Sequence, residues 1–430
     1  MTGAAPTPQE QDRCALVLGV GSFAQSTATI LRDNGVRVLT YLTRDYGHWP
    51  PRLAGPAFAA SEFPSPVPLL RRENVGLVIP QSIDWARAPW AEELVRSGVP
   101  VLCPTGEGLR LERERDFARA LCERFGIPFP ESVAVRDRRE ALNWLEAHPG
   151  PYVIKNPLCG PFSPVHTIVC ESAGATRAWL ERVDDREGLF LQEYMGRAEI
   201  GHIVLVSAGE IWSLVTNQEY KRAFTGNLGI VAGAPLGGIV EADPEDRYGL
   251  ARSLVHPLLP WLREVGFHGP LQVTAARARD RWWVLEYNVR IGVTSGAMFL
   301  RMLADPWETL HRAARNLKLE PRLVPERRYG CSITLAGYGY PYVQLNGPEV
   351  PVEVTEPLEQ EEADLWWNEV RQDEQDRLWA TGHRLADVIG FGTTLETAVA
   401  RAYRNIRRLR SPGSYYRTDI GQCLWPPGCE

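Results

Sequence analysis

One stretch of the chain is the most informative about its fold, and it reads Trp282-Trp283-Val284-Leu285-Glu286-Tyr287-Asn288-Val289-Arg290. β-Branched and aromatic residues dominate this stretch, which predicts a strand. Because alternate side chains of a strand face the same side, we expect Glu286, Asn288 and Arg290 to lie together. A carboxylate and an amide oxygen suit Mg²⁺, and a guanidinium matches the geometry of a phosphate. The alternative is an ordinary exposed face of an edge strand.

The composition bounds the class of protein. The chain has 430 residues, 44% hydrophobic and 23% charged, which predicts a globular protein of two to four domains. Its net charge of −6 is spread along the sequence, and no basic run indicates a nucleic-acid partner. No apolar segment is long enough to span a membrane. We therefore expect neither a nucleic acid nor a membrane as partner.

The cysteines and the first residues indicate the compartment. The eight cysteines are scattered without a C-x-x-C pair, which argues against a disulfide framework or a zinc site. We expect reduced thiols in a cytoplasmic protein. Residues 1–11 are polar, contain proline and lack the apolar core of a signal peptide, so they predict a short disordered tail.

The order of predicted elements indicates an α/β protein. Strands at residues 14–18 and 36–42 flank a helix at residues 24–33, a pattern typical of a doubly wound sheet. We expect further strands at residues 75–80 and 99–103. Later segments predict long helices at residues 112–125 and 248–265, a glycine-rich loop at residues 226–238, and a hairpin of residues 270–276 with 281–289.

The turn after the first strand, Gly19-x-Gly21-x-x-Ala24, fits the dinucleotide-binding fingerprint. That fingerprint also requires an acidic residue at the end of the second strand, and this strand ends Leu39-Thr40-Tyr41 instead. A dinucleotide-dependent oxidoreductase remains an alternative. The pattern favours a phosphate-bearing substrate at the start of the helix.

Three further signals are weak when taken singly. Lys155 closes a buried strand and needs an anion or a water-filled cleft, unless it only extends to the surface. Glu193 and Glu199 flank a strand end, where they would bind an adenine amine and ribose hydroxyls or else face solvent. Lys221 and Arg222 precede the glycine-rich loop, and adjacent cations beside glycines indicate an anion site.

The order of these signals resembles that of the ATP-grasp ligases. Within them the chain is similar over nearly its whole length to the phosphoribosylamine–glycine ligase (GAR synthetase) family. Glu219-Tyr220-Lys221-Arg222 resembles the family's D-x-K-R, and the stretch that ends at Arg290 resembles its E-F-N-V-R. The C-terminal run Tyr416-Arg417-Thr418-Asp419-Ile420-Gly421 matches Y-R-x-D-I-G, which is quite specific to this family.

Four motifs depart from the family pattern. The family's G-G-R-E-H-A is replaced at residues 21–26, and its G-K-G loop is replaced at residues 159–164 by a segment without lysine. Its G-P-N-T-G-G-M-G is changed at residues 229–236, and its R-F-G-D-P-E at residues 290–295. Positions for nucleotide and metal are largely kept, whereas those expected to recognise glycine and phosphoribosylamine are largely changed.

The resemblance implies an ATP-grasp fold of class α/β with a doubly wound N-terminal domain and a C-terminal α+β lobe. The expected division is a tail at 1–11, a pre-ATP-grasp domain at 12–111, an ATP-grasp domain at 112–320 and a C-terminal domain at 321–430. The implied activity joins a small-molecule carboxylate to an amine through an acyl phosphate, with ATP and Mg²⁺ (or Mn²⁺), in a monomer or homodimer.

The resemblance also assigns roles to residues. Glu286 and Asn288 would bind the metal, and the other expected contacts are catalytic Arg290, Lys221 and Arg222, ATP phosphates at Lys155 and Arg115, and adenosine at Glu193 and Glu199. Because the substrate motifs differ, we expect a specialised, secondary-metabolite pathway. The alternatives are a genuine phosphoribosylamine–glycine ligase of purine synthesis and a catalytically weak nucleotide-binding homologue, since the loop lysine is missing.

Overall fold

The computed structural model describes residues 13–160, 163–165, 167–342 and 349–422. The tail expected at residues 1–11 lies outside this part of the chain. The described residues form five sheets. Three of them share two large apolar cores, whereas the sheet within residues 132–193 buries a separate cluster around Ile154 and Leu191. No helix in the described ranges has the length and apolar character needed to cross a membrane. The six cysteines that lie in these ranges are free thiols.

The N-terminal region is built on a four-stranded parallel sheet in the order β3-β2-β1-β4. The predicted first strand and the helix after it are confirmed. The prediction of a strand at residues 99–103 is wrong, because only Val101 pairs there, in an isolated bridge to Val78. Pro100 supplies no amide hydrogen to a ladder, which limits pairing at this point. The elements are β1 Cys14–Leu18, α1 Gly21–Asp33, β2 Arg37–Leu42, α2 Trp49–Arg52, β3 Ala57–Ala59, α3 Val67–Arg72, β4 Leu77–Pro80 and α4 Ala91–Arg96.

The next region carries a small four-stranded sheet in the order β5-β8-β6-β7. The helix predicted at residues 112–125 is divided in two, because Glu114 adopts an extended conformation and bridges to Leu158. The elements are α5 Arg110–Arg113, α6 Arg115–Arg124, β5 Ser132–Val135, α7 Arg138–Ala147, β6 Tyr152–Lys155, β7 Thr167–Val169, α8 Ala173–Leu180 and β8 Leu189–Glu193.

The central region supplies most of an eight-stranded sheet in the order β15-β14-β9-β10-β13-β16-β21-β18. The predicted hairpin is confirmed as β14 and β15. The prediction of a loop at residues 226–238 is wrong, because part of this segment forms a second hairpin. The helix predicted at residues 248–265 is interrupted at Pro257 and Pro260. The elements are β9 Glu199–Ser207, β10 Glu210–Glu219, β11 Arg222–Phe224, β12 Leu228–Val231, β13 Gly237–Ala242, α9 Leu250–Leu254, α10 Leu259–Glu264, β14 Gly269–Ala278, β15 Arg281–Asn288, α11 Val293–Met302 and α12 Pro306–Ala314.

The C-terminal region completes the large sheet with three of its strands and adds a small antiparallel sheet. The boundary expected at residue 320 therefore falls between strands of one sheet. Helix α13 packs on β16 and β21. The elements are β16 Tyr329–Ala336, β17 Val350–Val354, β18 Ala363–Trp367, β19 Val370–Gln372, β20 Leu378–Ala380, β21 Arg384–Gly392, α13 Leu395–Ile406 and β22 Leu409–Arg410.

Candidate active site in the cleft between the two central sheets

A cleft of about 570 Å³ lies between the small sheet and the large one. Glu286, Asn288 and Arg290 all line it, as the alternation of the strand predicts. Strand β14 pairs antiparallel with β15 and places Gln272 opposite Asn288 on the cleft side. The hairpin therefore presents several oxygen donors and one guanidinium to the same space.

Lys221 forms the central ion pairs of the cleft. Its Nζ lies 2.9 Å from Glu199 Oε2 and 3.1 Å from Glu286 Oε1. The positive charge of Lys221 holds the pKa of the Glu286 carboxyl well below its usual range despite burial. The two carboxylates in turn raise the pKa of Lys221, although burial opposes this rise. Lys221 and Glu286 are therefore both charged at neutral pH.

Arg290 is held in place by a buried carboxylate from α5. Its Nε lies 3.2 Å from Glu112 Oε1, and its Nη2 donates to Asn288 Oδ1 at 2.8 Å. Glu112 Oε2 also accepts a hydrogen bond of 2.7 Å from the backbone amide of Val289. Burial raises the pKa of Glu112, while the Arg290 charge opposes the rise. This carboxylate fixes the direction in which the guanidinium enters the cleft.

Lys155 projects into the cleft from the small sheet. Its Nζ donates to Gln192 Oε1 at 2.8 Å and lies 3.4 Å from the carbonyl oxygen of Leu285. Burial and the nearby Arg115 lower the pKa of Lys155 to about 8. Arg115 also lines the cleft, and its Nε donates to the carbonyl of Asn156 at 2.9 Å. Among the described residues, the hydrogen-bond partners of these two cations are neutral, which leaves both able to contact an anion.

The two carboxylates at the junction of β8 and β9 have different partners. Glu199 belongs to the Lys221 network, whereas Glu193 Oε1 lies 2.8 Å from the Nη2 atom of Arg279. Both line the cleft, together with the apolar side chains of Met195 and Leu285. An apolar slot beside carboxylates suits a flat heterocycle that carries hydroxyl and amine donors.

The structure separates two adjacent cations that the sequence grouped together. Arg222 is absent from the described lining of the cleft; it pairs with Glu171 at 2.6 Å and donates to the carbonyl of Gly229 at 2.9 Å. Arg222 therefore supports the β11–β12 hairpin. It also lines a small recess beside the cleft with Glu199 and Lys221, so the catalytic role expected for it stays a prediction.

The glycine turn before α1 is closed rather than open to a phosphate. The backbone amide of Val20 donates to Gln81 Oε1, and that of Gly21 donates to the carbonyl of Gly47, each at 2.9 Å. Gly21 has a φ of +57°, and a Cβ there would lie 1.9 Å from Asn368 Oδ1. The glycine is thus required by the turn and by its close approach to the C-terminal region.

Three residues of the site were not singled out from the sequence. Glu219 lines the cleft, accepts from Ser295 Oγ at 3.3 Å, and has its pKa raised by burial. Its position two residues before Lys221 was an available signal, since such residues share a face in an extended chain. Gln272 and Glu112 come from distant segments, and no local pattern marks them. The scarcity of lysine was a further signal, because the chain has only Lys155, Lys221 and Lys318.

The donor set fits Mg²⁺ and a polyphosphate. Carboxylate oxygens of Glu286 and Glu219 and the amide oxygen of Asn288 are hard ligands of the kind that Mg²⁺ prefers. Lys155, Arg115 and Arg290 approach the same cleft from both sheets and suit phosphate oxygens. The cleft can therefore hold a metal–nucleotide pair beside a second anion.

Comparison with known proteins agrees with this geometry. Residues 330–423 match the family model described as phosphoribosylglycinamide synthetase, C domain. The phosphoribosylamine–glycine ligase of Leifsonia xyli subsp. xyli is 28% identical over 343 residues, which cover 77% of this chain and 80% of that protein. The crystal structure of phosphoribosylamine–glycine ligase from Thermotoga maritima has a TM-score of 0.73 at 21% identity and covers 94% of this chain and 99% of that one.

A second solved structure shares the fold at lower similarity. It is the biotin carboxylase domain of the 2-oxoglutarate carboxylase of Hydrogenobacter thermophilus, in complex with MgADP and bicarbonate. It has a TM-score of 0.68 at 14% identity and covers 94% of this chain and 91% of that one. Fold, cleft and named relatives together define an ATP-grasp ligase. Within that superfamily the chain resembles the phosphoribosylamine–glycine ligases.

Proposed function

We propose that this chain joins a carboxylate and an amine other than glycine and phosphoribosylamine, in a specialised biosynthetic pathway. The observation that carries the proposal is the position of two exchanged residues. Val231 and Val293 stand where the family motifs have asparagine and aspartate, and both side chains line the cleft. An apolar side chain in place of a polar contact leaves the polar groups of the family substrate unpaired, which can lower specificity by several decades.

Two other exchanged residues do not support the proposal. Phe23 is buried in the core. Gln25 is also buried, and its Oε1 accepts a hydrogen bond of 2.6 Å from the backbone amide of Trp367. Their exchange concerns the packing of α1 against the C-terminal region, so the proposal rests on the cleft residues alone.

Each group in the cleft has a part in the proposed reaction. Glu286 and Asn288, with Glu219, would hold Mg²⁺, which neutralises phosphate charge when bound. Lys155 and Arg115 would contact the ATP phosphates, and Glu193 and Glu199 the adenosine. These contacts would bring the γ-phosphate near Arg290, two residues after the end of β15.

The reaction then proceeds by two transfers. The substrate carboxylate attacks the γ-phosphorus, the bond to ADP breaks, and Arg290 with Lys221 stabilises the charge on the transferring group. The amine next attacks the acyl phosphate carbon, an amide C–N bond forms, and inorganic phosphate leaves. Because the cleft lies between two sheets, it can exclude water from the acyl phosphate.

The test is turnover with glycine and freshly prepared phosphoribosylamine. The proposal expects a kcat/KM well below the ordinary enzyme range of about 10⁴ M⁻¹s⁻¹ and above. A value in that range identifies the second candidate, a genuine phosphoribosylamine–glycine ligase, which is favoured by the name of its relatives. ADP release against a panel of acids and amines separates both from a catalytically weak homologue, which would bind ATP without turnover.

A further inference from the structure

The wall of the cleft beyond Arg290 is apolar. It is formed by residues 230–235 of the β11–β12 hairpin and the segment after it, by Val293 at the start of α11, and by Pro341 of the C-terminal region. The side chains in residues 230–235 are those of isoleucine, valine, alanine and proline. Ile230 is 41% exposed, so its side chain remains available to a ligand.

The β11–β12 hairpin, which carries part of this wall, covers one side of the cleft. Strand β12 packs against β7 of the small sheet, and Val169 of β7 lines the cleft below it. On the other side, Tyr342 accepts a hydrogen bond of 3.0 Å from the backbone amide of Ile230, and its ring stacks on Phe224 at 5.8 Å. The wall is thus anchored to both sides of the cleft.

Three arginines that touch this wall are paired with carboxylates. Arg222 bonds to Glu171 at 2.6 Å, and the other two pairs, both more deeply buried, are Arg384 with Asp387 at 2.7 Å and Arg417 with Asp419 at 2.6 Å. Each of these arginines also donates to a backbone carbonyl of the hairpin or of the segment after it. The charges of these three described arginines therefore stabilise the wall and are not available to a phosphorylated substrate.

We propose that the carboxylic acid activated in this cleft carries an aliphatic or aromatic side chain, and that the wall receives it. The inference rests on the proposed ligase function and names the class of its acid. Arg290 and Val293 line the same cleft, so a carboxylate held at the Arg290 guanidinium would share that space with the apolar wall. One methylene in an apolar pocket changes specificity by roughly 10- to 200-fold. We therefore expect at least a tenfold preference for L-leucine or L-phenylalanine over glycine and L-aspartate.

The experiment measures formation of the acyl phosphate without knowledge of the natural amine. Each acid is incubated with the protein, MgATP and hydroxylamine, which captures the acyl group as a hydroxamate with release of phosphate. Positional isotope exchange in ATP with the acid alone reports the same step without a second, added amine. ATP binding is measured in parallel by calorimetry.

The outcomes separate the inference from the function on which it rests. Preference for the apolar acids supports the inference, and equal or better activity with glycine or L-aspartate overturns it. Binding of ATP without hydroxamate or exchange for any acid overturns it too. Failure to bind ATP overturns the ligase function itself.

Two variants locate the effect at the wall. Val231→Ser should lower the kcat/KM ratio of L-leucine over glycine by about tenfold. Leu228→Ser, on the same strand but outside the cleft lining and 58% exposed, should leave that ratio unchanged. Equal ratios in both variants and the parent would show that the wall does not contact the acid.

Discussion

Lys221 Nζ and Glu286 Oε1 lie 3.1 Å apart at the centre of the cleft. The same carboxylate is the expected metal ligand, and Lys221 holds one of its oxygens. With Mg²⁺ at Glu286, the ammonium would keep its contact with Glu199 and would be available to phosphate oxygens. The ion pair would thus hold the expected ligand charged and in place.

Replacement of Glu286 tests the metal site. Glu286→Gln keeps the shape of the side chain and removes its charge, so we expect the protein to fold while Mg²⁺-dependent ADP release falls by about 100-fold or more. A Mg²⁺ titration of ADP release, with circular dichroism to check folding, measures this. Glu123→Gln, at an exposed glutamate outside the described cleft lining, is the control and should leave the Mg²⁺ dependence unaltered. Normal activity of Glu286→Gln at limiting Mg²⁺ would refute the assignment.

Replacement of Lys155 tests the phosphate contact. Lys155→Ala removes one charge-assisted hydrogen bond, which is worth roughly 1.5–3 kcal/mol, or about one to two decades in ATP affinity. Calorimetric titration with ATP measures the change. An unchanged dissociation constant would show that Lys155 only closes its strand.

The pKa of Lys155 predicts how ATP affinity depends on pH. Burial and Arg115 lower this pKa to about 8, so the ammonium present below pH 8 is lost as the pH rises. Above pH 8, ATP binding must first take up a proton, which costs about tenfold in affinity per pH unit. We expect affinity to fall by roughly tenfold from pH 7 to pH 9. Lys155→Arg keeps its charge over this range, so its ATP affinity should not change with pH. An equal decline in the parent protein and in this variant would show that another group causes the pH dependence.

Adjacent Lys221 and Arg222 should differ strongly in their effects. Lys221→Gln removes the cation shared by Glu199 and Glu286, and we expect ADP release to fall by about 100-fold or more. Arg222→Gln should cost less than about tenfold, since its partners are Glu171 and a hairpin carbonyl. Steady-state rates of the two variants decide this. Equal losses would support the catalytic role expected for Arg222 from the sequence.

Glu112 should matter for stability as well as for activity. Glu112→Ala leaves Arg290 and the amide of Val289 without their acceptor, so we expect a loss of about 3 kcal/mol in the free energy of unfolding. Urea denaturation measures it. Glu114→Ala, nearby and partly exposed, is the control and should cost about 1 kcal/mol or less. A loss in Glu112→Ala no larger than in the control would contradict the support given to Arg290.

Elements that form because of the residues within one short segment could be predicted from the sequence. The apolar strand Cys14–Leu18 and the β14–β15 hairpin follow from β-branched runs and alternation, and the structure confirms them. The prediction of one helix over residues 248–265 is wrong, because Pro257 and Pro260 interrupt helical hydrogen bonding despite the apolar periodicity. The β11–β12 hairpin was missed because glycines suggested a loop, whereas its pairing depends on contacts outside the segment.

The same distinction applies to the cleft. Glu286, Asn288 and Arg290 could be grouped because they share one strand face, and Lys155 because it ends another strand. Arg222 was grouped with Lys221 although successive side chains of an extended segment point to opposite sides. Glu112 could not be predicted, since it meets Arg290 from 178 positions away in the chain.

Because lysine is scarce in this chain, chemical labelling of amines can report whether the cleft is occupied. Lys155 and Lys221 lie in the cleft and Lys318 is exposed, so an acylating reagent meets very few side-chain amines on this protein. Only a free amine reacts, and the lowered pKa of Lys155 gives it that form near pH 8, whereas the raised pKa of Lys221 withholds it. A small amine-selective label followed by mass spectrometry would thus report, peptide by peptide, whether a nucleotide shields the cleft.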